Sequence, residues 1–376
     1  MNNKLAINRI AALKYIKNSH SNPYSSAIFK QSFTSLTTPS NHTKRPVSRY
    51  IIFASTVAIT GIAAQSYRSI HINHTSSNNT NTTNNKNNNN NNEQYTLALT
   101  PSQLQQFTSD NTITLYQYST CPFCNKVQAY LDYHQIPYNV VEVNPLTKSE
   151  LKSWSDQYKK VPILVMNDII YRDSKHIINQ LEHTLNQYRT VPHDIDEDEQ
   201  KWINWVDTEF IPLITPNLYK TWSNAVSAFD YINSNSALSG GMKLLNVYVG
   251  AAAMYMVAQK RLKNRYKDQD VNQLLVQACN QYASDAINRT THYHNSRSSS
   301  PDIADLNLYG VLRATCYCSA YLKHLLLGSD SATSDAFKQW YTSMEQLAPK
   351  MTTANIIDHN TVDTKKYQVT PQTMAV

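Results

Sequence analysis

The sequence predicts an α/β domain followed by an all-helical domain, behind a non-globular leader. Three observations carry that prediction. An apolar run, Ile113-Thr114-Leu115-Tyr116-Gln117-Tyr118, gives way to a helix-patterned stretch, Asn125 to Tyr133, and then to a second run, Asn139-Val140-Val141-Glu142-Val143; strand, helix and strand at this spacing imply a right-handed parallel crossover. After the acidic link Asp194 to Glu199, apolar residues recur at helical spacing, beginning with Trp202, Trp205, Val206 and Phe210. The first 92 residues hold ten Lys and Arg and no acidic residue, a composition that no packed domain needs.

With 376 residues the chain has room for two domains plus extensions. The formal charge of +7 invites a nucleic-acid partner, but its distribution argues against one. Beyond residue 92 there are 24 basic against 27 acidic residues, so the folded part has no phosphate-binding excess. The leader, 1–49, is basic and rich in Ser and Thr, and Leu5, Ile10, Leu13 and Ile16 can share one helical face beside Arg9, Lys14 and Lys17. That is the composition of a mitochondrial presequence, and equally of a disordered basic tail. Residues 50–67 carry no charge between Arg49 and Arg68 and approach the length of a single membrane anchor. The excess of Lys and Arg upstream would keep the N-terminus on the cytosolic or matrix side. The remainder would then lie across the membrane, at odds with a working thiol's preference for a reducing compartment. Residues 68–96, ending in the run Asn87 to Asn92, read as a disordered spacer.

The chain is organised around Thr120-Cys121-Pro122-Phe123-Cys124. Between a strand and a helix, a Cys-x-x-Cys pair reads as a redox or thiol-transfer site. Cys121 falls at the helix N-cap, where unpaired N–H groups and the macrodipole favour a thiolate. Cys124 lies one turn further in, able to attack a disulfide on Cys121, and Pro122 suits the first helical position. Only Asp110 supplies an acid between Gln94 and Leu131, and Lys126 adds a nearby positive charge. A zinc site would need a second Cys or His pair, whereas Cys279, Cys316 and Cys318 are distant and wrongly spaced. Five cysteines make no disulfide framework.

Further along, Thr147 and Glu150 read as the capping box of a polar helix reaching about Tyr158. Lys160-Val161-Pro162-Ile163-Leu164-Val165-Met166 is a strand opened by proline, and a two-residue turn at Asn167-Asp168 leads into Ile169-Ile170-Tyr171 as a hairpin. Asp173-Ser174 starts the last helix of this domain, through Ile177, Ile178, Leu181 and Leu185. In the helical domain, Pro212 and Pro216 are expected to interrupt the first helix. Small residues around Gly250 permit close packing, and Lys260, Arg261, Lys263 and Arg265 mark an exit turn. A further helix covers about Val271 to Ala286, residues 290–300 read as a loop, and Asp302 with Asp305 caps a buried helix. The tail, 351–376, is expected to be disordered.

The strand order and the wording Thr114-Leu115-Tyr116-Gln117-Tyr118-x-x-Cys121-Pro122-Phe123-Cys124-x-Lys126-Val127 resemble glutaredoxins. Leu131-Asp132-Tyr133-His134, Pro137-Tyr138-x-Val140-Val141-Glu142-Val143-Asn144-Pro145 and Lys160-Val161-Pro162-Ile163-Leu164-Val165 narrow the resemblance to the prostaglandin E synthase 2 family. The likeness covers roughly residues 112–345, and the capped helix at Asp302 is similar to that of glutathione-transferase helical domains. The resemblance implies a thioredoxin- or glutaredoxin-like domain over 97–195, with Pro162 in cis, and a glutathione-transferase-like helical domain over 196–350. It further implies a homodimer at a mitochondrial or Golgi membrane, with a released soluble form.

The resemblance places glutathione contacts at Val161, Pro162, Asp173 and Ser174, where an extended tripeptide would add to the backbone and a helix N-terminus would meet its carboxylate. A plain N-cap role for Ser174 is compatible with that. The implied reaction isomerises a prostaglandin endoperoxide, a lipid substrate, to prostaglandin E. Cys121 would act as nucleophile or as the sulfur polarising the peroxide, and Phe123 would line the wall for the fatty chain. Tyr118 would be the hydrogen-bond donor, although periodicity alone fits a core strand residue equally well. The resemblance also implies haem held through the glutathione sulfur. Two other functions keep the same residues. One is a glutathione-dependent thiol transferase in which Cys124 resolves mixed disulfides on Cys121; the other is a haem and glutathione carrier without turnover.

Overall fold

The computed structural model describes residues 97–155, 158–229, 232, 240–267, 269–294, 300–350 and 353–369. The leader, the expected anchor at 50–67 and the linker 68–96 lie outside the described residues.

A helix that the sequence pattern did not mark, α1 (Pro101–Asp110), opens the fold behind a capping box of Thr100 and Gln103. Then follow β1 (Ile113–Gln117), α2 (Pro122–Tyr133), β2 (Tyr138–Glu142), β3 (Ile163–Met166), β4 (Ile169–Arg172) and α3 (Ser174–Asn186). β1 and β2 pair in parallel, as the crossover requires, while β1 with β3 and β3 with β4 are antiparallel. The β3–β4 turn has positive φ at both Asn167 and Asp168, the twist that a two-residue hairpin needs. This is a thioredoxin-type sheet. One face packs on α2 and α3 through Leu115, Val127, Leu131, Ile177 and Leu181.

The polar helix expected from Thr147 to Tyr158 does not form. Only a short 3-10 turn, Ser149–Leu151, is present. Asn144 Oδ1 accepts the N–H groups of Leu146 and Thr147, and Glu150 Oε2 accepts that of Asn144 at 3.0 Å. The polar side chains thus close a turn on themselves instead of capping a helix.

What covers the second face of the sheet is the C-terminal tail, correcting the expectation of disorder after Lys350. β5 (Ala354–Ile356) pairs in parallel with β2, and β6 (Gln368–Val369) in parallel with β4, so the order is β5-β2-β1-β3-β4-β6. Between them, Ile357, Val362 and Tyr367 pack on Tyr116, Val141, Ile163 and Val165. The Tyr367 ring stands edge-on to Tyr116 and Trp154. One segment supplies both outermost strands of the sheet, and these edge strands are only three and two residues long, which limits pairing with other chains.

The helical domain runs α4 (Glu197–Trp205), α5 (Ile211–Leu218), α6 (Trp222–Ser227), α7 (Gly240–Arg261), α8 (Val271–Asp285), α9 (Ile303–Cys318), α10 (Ala320–Leu327) and α11 (Asp335–Leu347). Pro212 and Pro216 do not interrupt the first of these. A π-turn over Val206–Phe210 carries α4 directly into α5, with Pro212 in the first turn of α5 and Pro216 inside it. α9 is the axis of the domain, and every residue from Ile303 to Cys316 is buried. Its capping box is reciprocal between Asp302 and Asp305. Asp305 Oδ1 also accepts from Tyr282 (2.8 Å) and Trp340 (2.7 Å).

α9 crosses α2 at Gly310. A Cβ there would lie 2.5 Å from the Asn125 carbonyl oxygen and 2.7 Å from the Lys126 Cα, so only glycine lets the two backbones approach this closely. Below the crossing, Arg313 reaches Asp132 at 2.7 Å, both buried. These contacts fix the helix that carries the cysteines to the centre of the helical domain.

Candidate active site

Cys121 is the N-cap of α2, with extended φ −74° and ψ 122°, and Pro122 follows at the first helical position. Its N–H donates to the Tyr118 carbonyl at 3.0 Å, and its own carbonyl accepts from the Asn125 N–H and Nδ2, each at 3.0 Å. The Cys121 thiol is held below its ordinary value. The main cause is a hydrogen bond from the Cys124 thiol, opposed by burial and assisted by the Cys124 and Phe123 N–H groups. Cys124 is fully buried, and burial, then its neighbour's charge, push its own thiol well up. One sulfur is set to be the thiolate and the other to keep its proton.

Two sequence inferences about this charge are corrected. Lys126 does not face Cys121; it is buried, with Nζ 2.6 Å from Asp207 Oδ1 in the π-turn. An acid does face the thiolate, and it comes from β2. Glu142 accepts the Ser119 N–H at 2.7 Å and Gln117 Nε2 at 3.3 Å, and its charge works against Cys121. Burial raises the Glu142 carboxyl itself.

Tyr118 is half-buried beside the pair. Burial, then the charges of Cys121 and Cys124, keep its hydroxyl protonated, hence a donor. Phe123 is 38 % exposed, an apolar side chain presented to solvent next to the sulfur. The Val161–Pro162 bond is cis, and β3 begins only at Ile163, leaving the Val161 backbone outside the ladder. Asp173 has φ 69°, a conformation that costs a non-glycine residue about 1–3 kcal/mol and clusters at functional positions. It is the N-cap of α3, accepting from the Lys175 and His176 N–H groups. Ser174, buried, is therefore the first helical residue rather than the cap.

The helical domain adds residues that sequence reasoning missed. Tyr219, at the end of α5, is raised by burial, and the charges of Cys318 and Cys121 add to the rise. Cys318, closing α9, is pushed up to about 12, mainly by burial, and is hydrogen-bonded by the Thr120 side chain. Lys350 donates to the Ser119 carbonyl at 3.3 Å and lies 3.8 Å from the Tyr317 ring centroid. Burial brings its ammonium down to about 8. No local signal marks these residues, because they come from 98 to 229 residues downstream of Cys121.

A family model described as glutathione S-transferase, N-terminal domain, matches residues 115–189. Prostaglandin E synthase 2 from Danio rerio is 34 % identical over 297 residues, covering 67 % of this chain and 75 % of the relative. The chain belongs to the prostaglandin E synthase 2 family. The Mus musculus member is 33 % identical over 280 residues, 62 % of this chain and 70 % of its own. Among solved structures, a Tau class glutathione S-transferase from Mangifera indica covers 64 % of this chain and 93 % of its own, at 15 % identity and TM-score 0.38. Glutaredoxin 2 from Salmonella typhimurium, in complex with glutathione, covers 63 % and 95 % at 17 % identity and TM-score 0.37. The structure of this prostaglandin E synthase 2 family member joins a thioredoxin-type domain, the part that the transferase N-terminal model matches, to an all-helical domain.

Proposed function

We propose that this protein is a glutathione-binding isomerase that converts a prostaglandin endoperoxide to prostaglandin E at Cys121. The observation that carries the proposal is the pairing at the head of α2 of one sulfur favoured as thiolate with a donor, Tyr118, that stays protonated. Membership of a family whose curated relatives bear that name supports the substrate class.

Glutathione fits the residues present. The Val161 backbone beside cis-Pro162 suits an extended tripeptide, and Asp173 leaves the Ser174 N–H uncapped for the γ-glutamyl carboxylate. In the isomerisation, a proton leaves the ring carbon that becomes the ketone. The C–H electron pair forms the carbonyl, the O–O bond breaks, and the released oxygen takes up a proton, so no external reductant is consumed. With the Cys121 thiolate as nucleophile, sulfur bonds to one peroxide oxygen as the O–O bond breaks. Loss of the ring proton then sends the C–H pair into the carbonyl while the S–O pair returns to sulfur. With Cys121 as a polarising group, the C–H pair displaces the second oxygen directly. In both cases the Tyr118 hydroxyl donates to the oxygen gaining charge. Phe123 and Tyr219 supply apolar wall for the chain. Haem bound through the glutathione sulfur finds no support among the residues lining the site, and no step runs through it. A homodimer and a membrane tether at 50–67 complete the reading on the family likeness alone.

Cys124 favours a second reading. A buried thiol hydrogen-bonded to the reactive sulfur is placed to resolve a mixed disulfide with glutathione, as in a thiol transferase. Assay of the purified full chain with prostaglandin H and glutathione separates the two. Conversion lost in Cys121→Ser but retained in Cys124→Ser supports the isomerase. Reduction of a glutathionylated peptide that needs both cysteines, with no endoperoxide conversion, overturns it in favour of the transferase.

A further inference from the structure

α7 is long and apolar enough to cross a membrane by length and composition, and the candidate span extends through Tyr266. It does not read as a spanning helix, because one side packs into the domain. Val247, Ala251 and Ala258 are buried, and Gly250 lets the Phe229 ring lie against the backbone. The opposite side is exposed. Leu244 (61 % exposed), Leu245 (51 %), Tyr248 (48 %) and Met256 (53 %) project with Val249 from one stripe, at the 3–4 residue spacing of a single face. Trp222 of α6 extends this patch, lying parallel to Tyr248 and edge-on to Tyr255.

Charge identifies the occupant. From Gly240 to Lys267 the chain holds six Lys and Arg and no acidic residue. Along the stripe, exposed Lys260 and Lys263 follow Met256 at the same spacing. Arg265 lies 3.9 Å from Glu209, on a pair that is itself exposed. Two copies meeting through this face would press together surfaces that both lack negative charge. An anionic lipid surface supplies what the face lacks: apolar depth for Leu245, Val249 and Met256, an interfacial layer for Trp222 and Tyr248, and negative headgroups for the lysines. We propose that the Trp222–α7 face lies on the surface of an anionic bilayer, as a peripheral contact separate from any spanning segment. The inference does not depend on the isomerase reading, since it concerns where the helical domain sits and not what Cys121 does.

The test uses the full chain in phosphatidylcholine vesicles with and without phosphatidylglycerol, carrying the photo-crosslinker p-benzoylphenylalanine at one position. In the Tyr248→p-benzoylphenylalanine variant, lipid adducts are expected by mass spectrometry, rising about fivefold or more with the anionic lipid. They are expected to fall on adding salt or in Lys260→Glu/Lys263→Glu. The same probe at exposed Tyr321 on α10 should give the background yield. A crosslinked dimer in place of lipid adducts, a yield no higher than at Tyr321, or equal yields in the two vesicle types overturns the proposal.

Discussion

The Cys124 thiol hydrogen-bonds the sulfur of Cys121, and this contact divides one proton unequally between two cysteines that lie four and seven positions beyond the end of β1. Burial alone would raise both. The shared bond lets the N-cap sulfur become the anion, and it makes the outcome sensitive to either neighbour.

The pH dependence of Cys121 alkylation by iodoacetamide should therefore rise to a plateau through a midpoint below the ordinary cysteine value. Cys124→Ala is expected to move that midpoint up and slow alkylation at neutral pH. Glu142→Gln keeps an acceptor for the Ser119 N–H but removes the opposing charge, so its midpoint should move down. Stopped-flow alkylation from pH 5 to 10 checks both directions.

Gly310→Ala should be costly although alanine favours helices. The new methyl group meets backbone atoms of Asn125 and Lys126 rather than a flexible side chain, so α2 and α9 must separate. Urea unfolding is expected to show a loss of about 2–3 kcal/mol.

The Lys126–Asp207 pair predicts an asymmetry. Lys126 is wholly buried while Asp207 is partly exposed. Asp207→Asn strands a buried ammonium and should cost about 3 kcal/mol or more. Lys126→Met leaves a carboxylate that water can reach, and should cost less. Denaturant midpoints of the two variants, measured side by side, test the order.

A chain of buried acids and histidines makes stability depend on alkaline pH. His193 lies between Glu182 (2.8 Å) and Glu199 (3.0 Å), and His294 between Asp302 (2.5 Å) and Asp198 (3.1 Å). Burial lowers both imidazoles, but the bonds to these carboxylates outweigh it and lift each to about 9. Burial and Asp302 lift Asp305 to about 7. For groups raised on folding, the stabilisation is complete below the unfolded value and is lost as pH climbs through the folded one. The melting temperature should fall between pH 7 and 9, and His294→Gln should flatten that fall in a thermal scan.

Ending the chain at Lys350 removes β5, β6 and Tyr367 together and bares Tyr116, Trp154 and Val165. A lower melting temperature and concentration-dependent aggregation are expected by calorimetry and light scattering. Tyr367→Ala in the whole chain should show a smaller part of the same loss.

Local chemistry was legible in the sequence. The cysteines at a strand-to-helix junction, the Asn167-Asp168 hairpin, the helix start at Asp173-Ser174 and the Asp302–Asp305 box each rest on neighbours a few residues apart, and each is where the pattern puts it, with the cap one residue earlier than Ser174. What failed was reading partners from proximity in sequence. Lys126 lies two residues from Cys124 yet pairs with Asp207, while Glu142 and Tyr219 approach Cys121 only through the fold. Thr147 and Glu150 match a capping pattern, but Asn144 competes for the same N–H groups and a turn wins. Strands as short as Gln368–Val369 carry no periodicity at all.

The two outermost strands of the sheet are made from the final stretch of the polypeptide. While the ribosome is still translating the helical domain, the first domain has its cysteines and its central strands but an unroofed apolar face and two raw margins. It can be finished only when residues 354–369 emerge. Completion of the first domain is thereby tied to synthesis of the segment that follows the helical domain, and a translation product cut before it would be left with a sticky, chaperone-dependent half-domain.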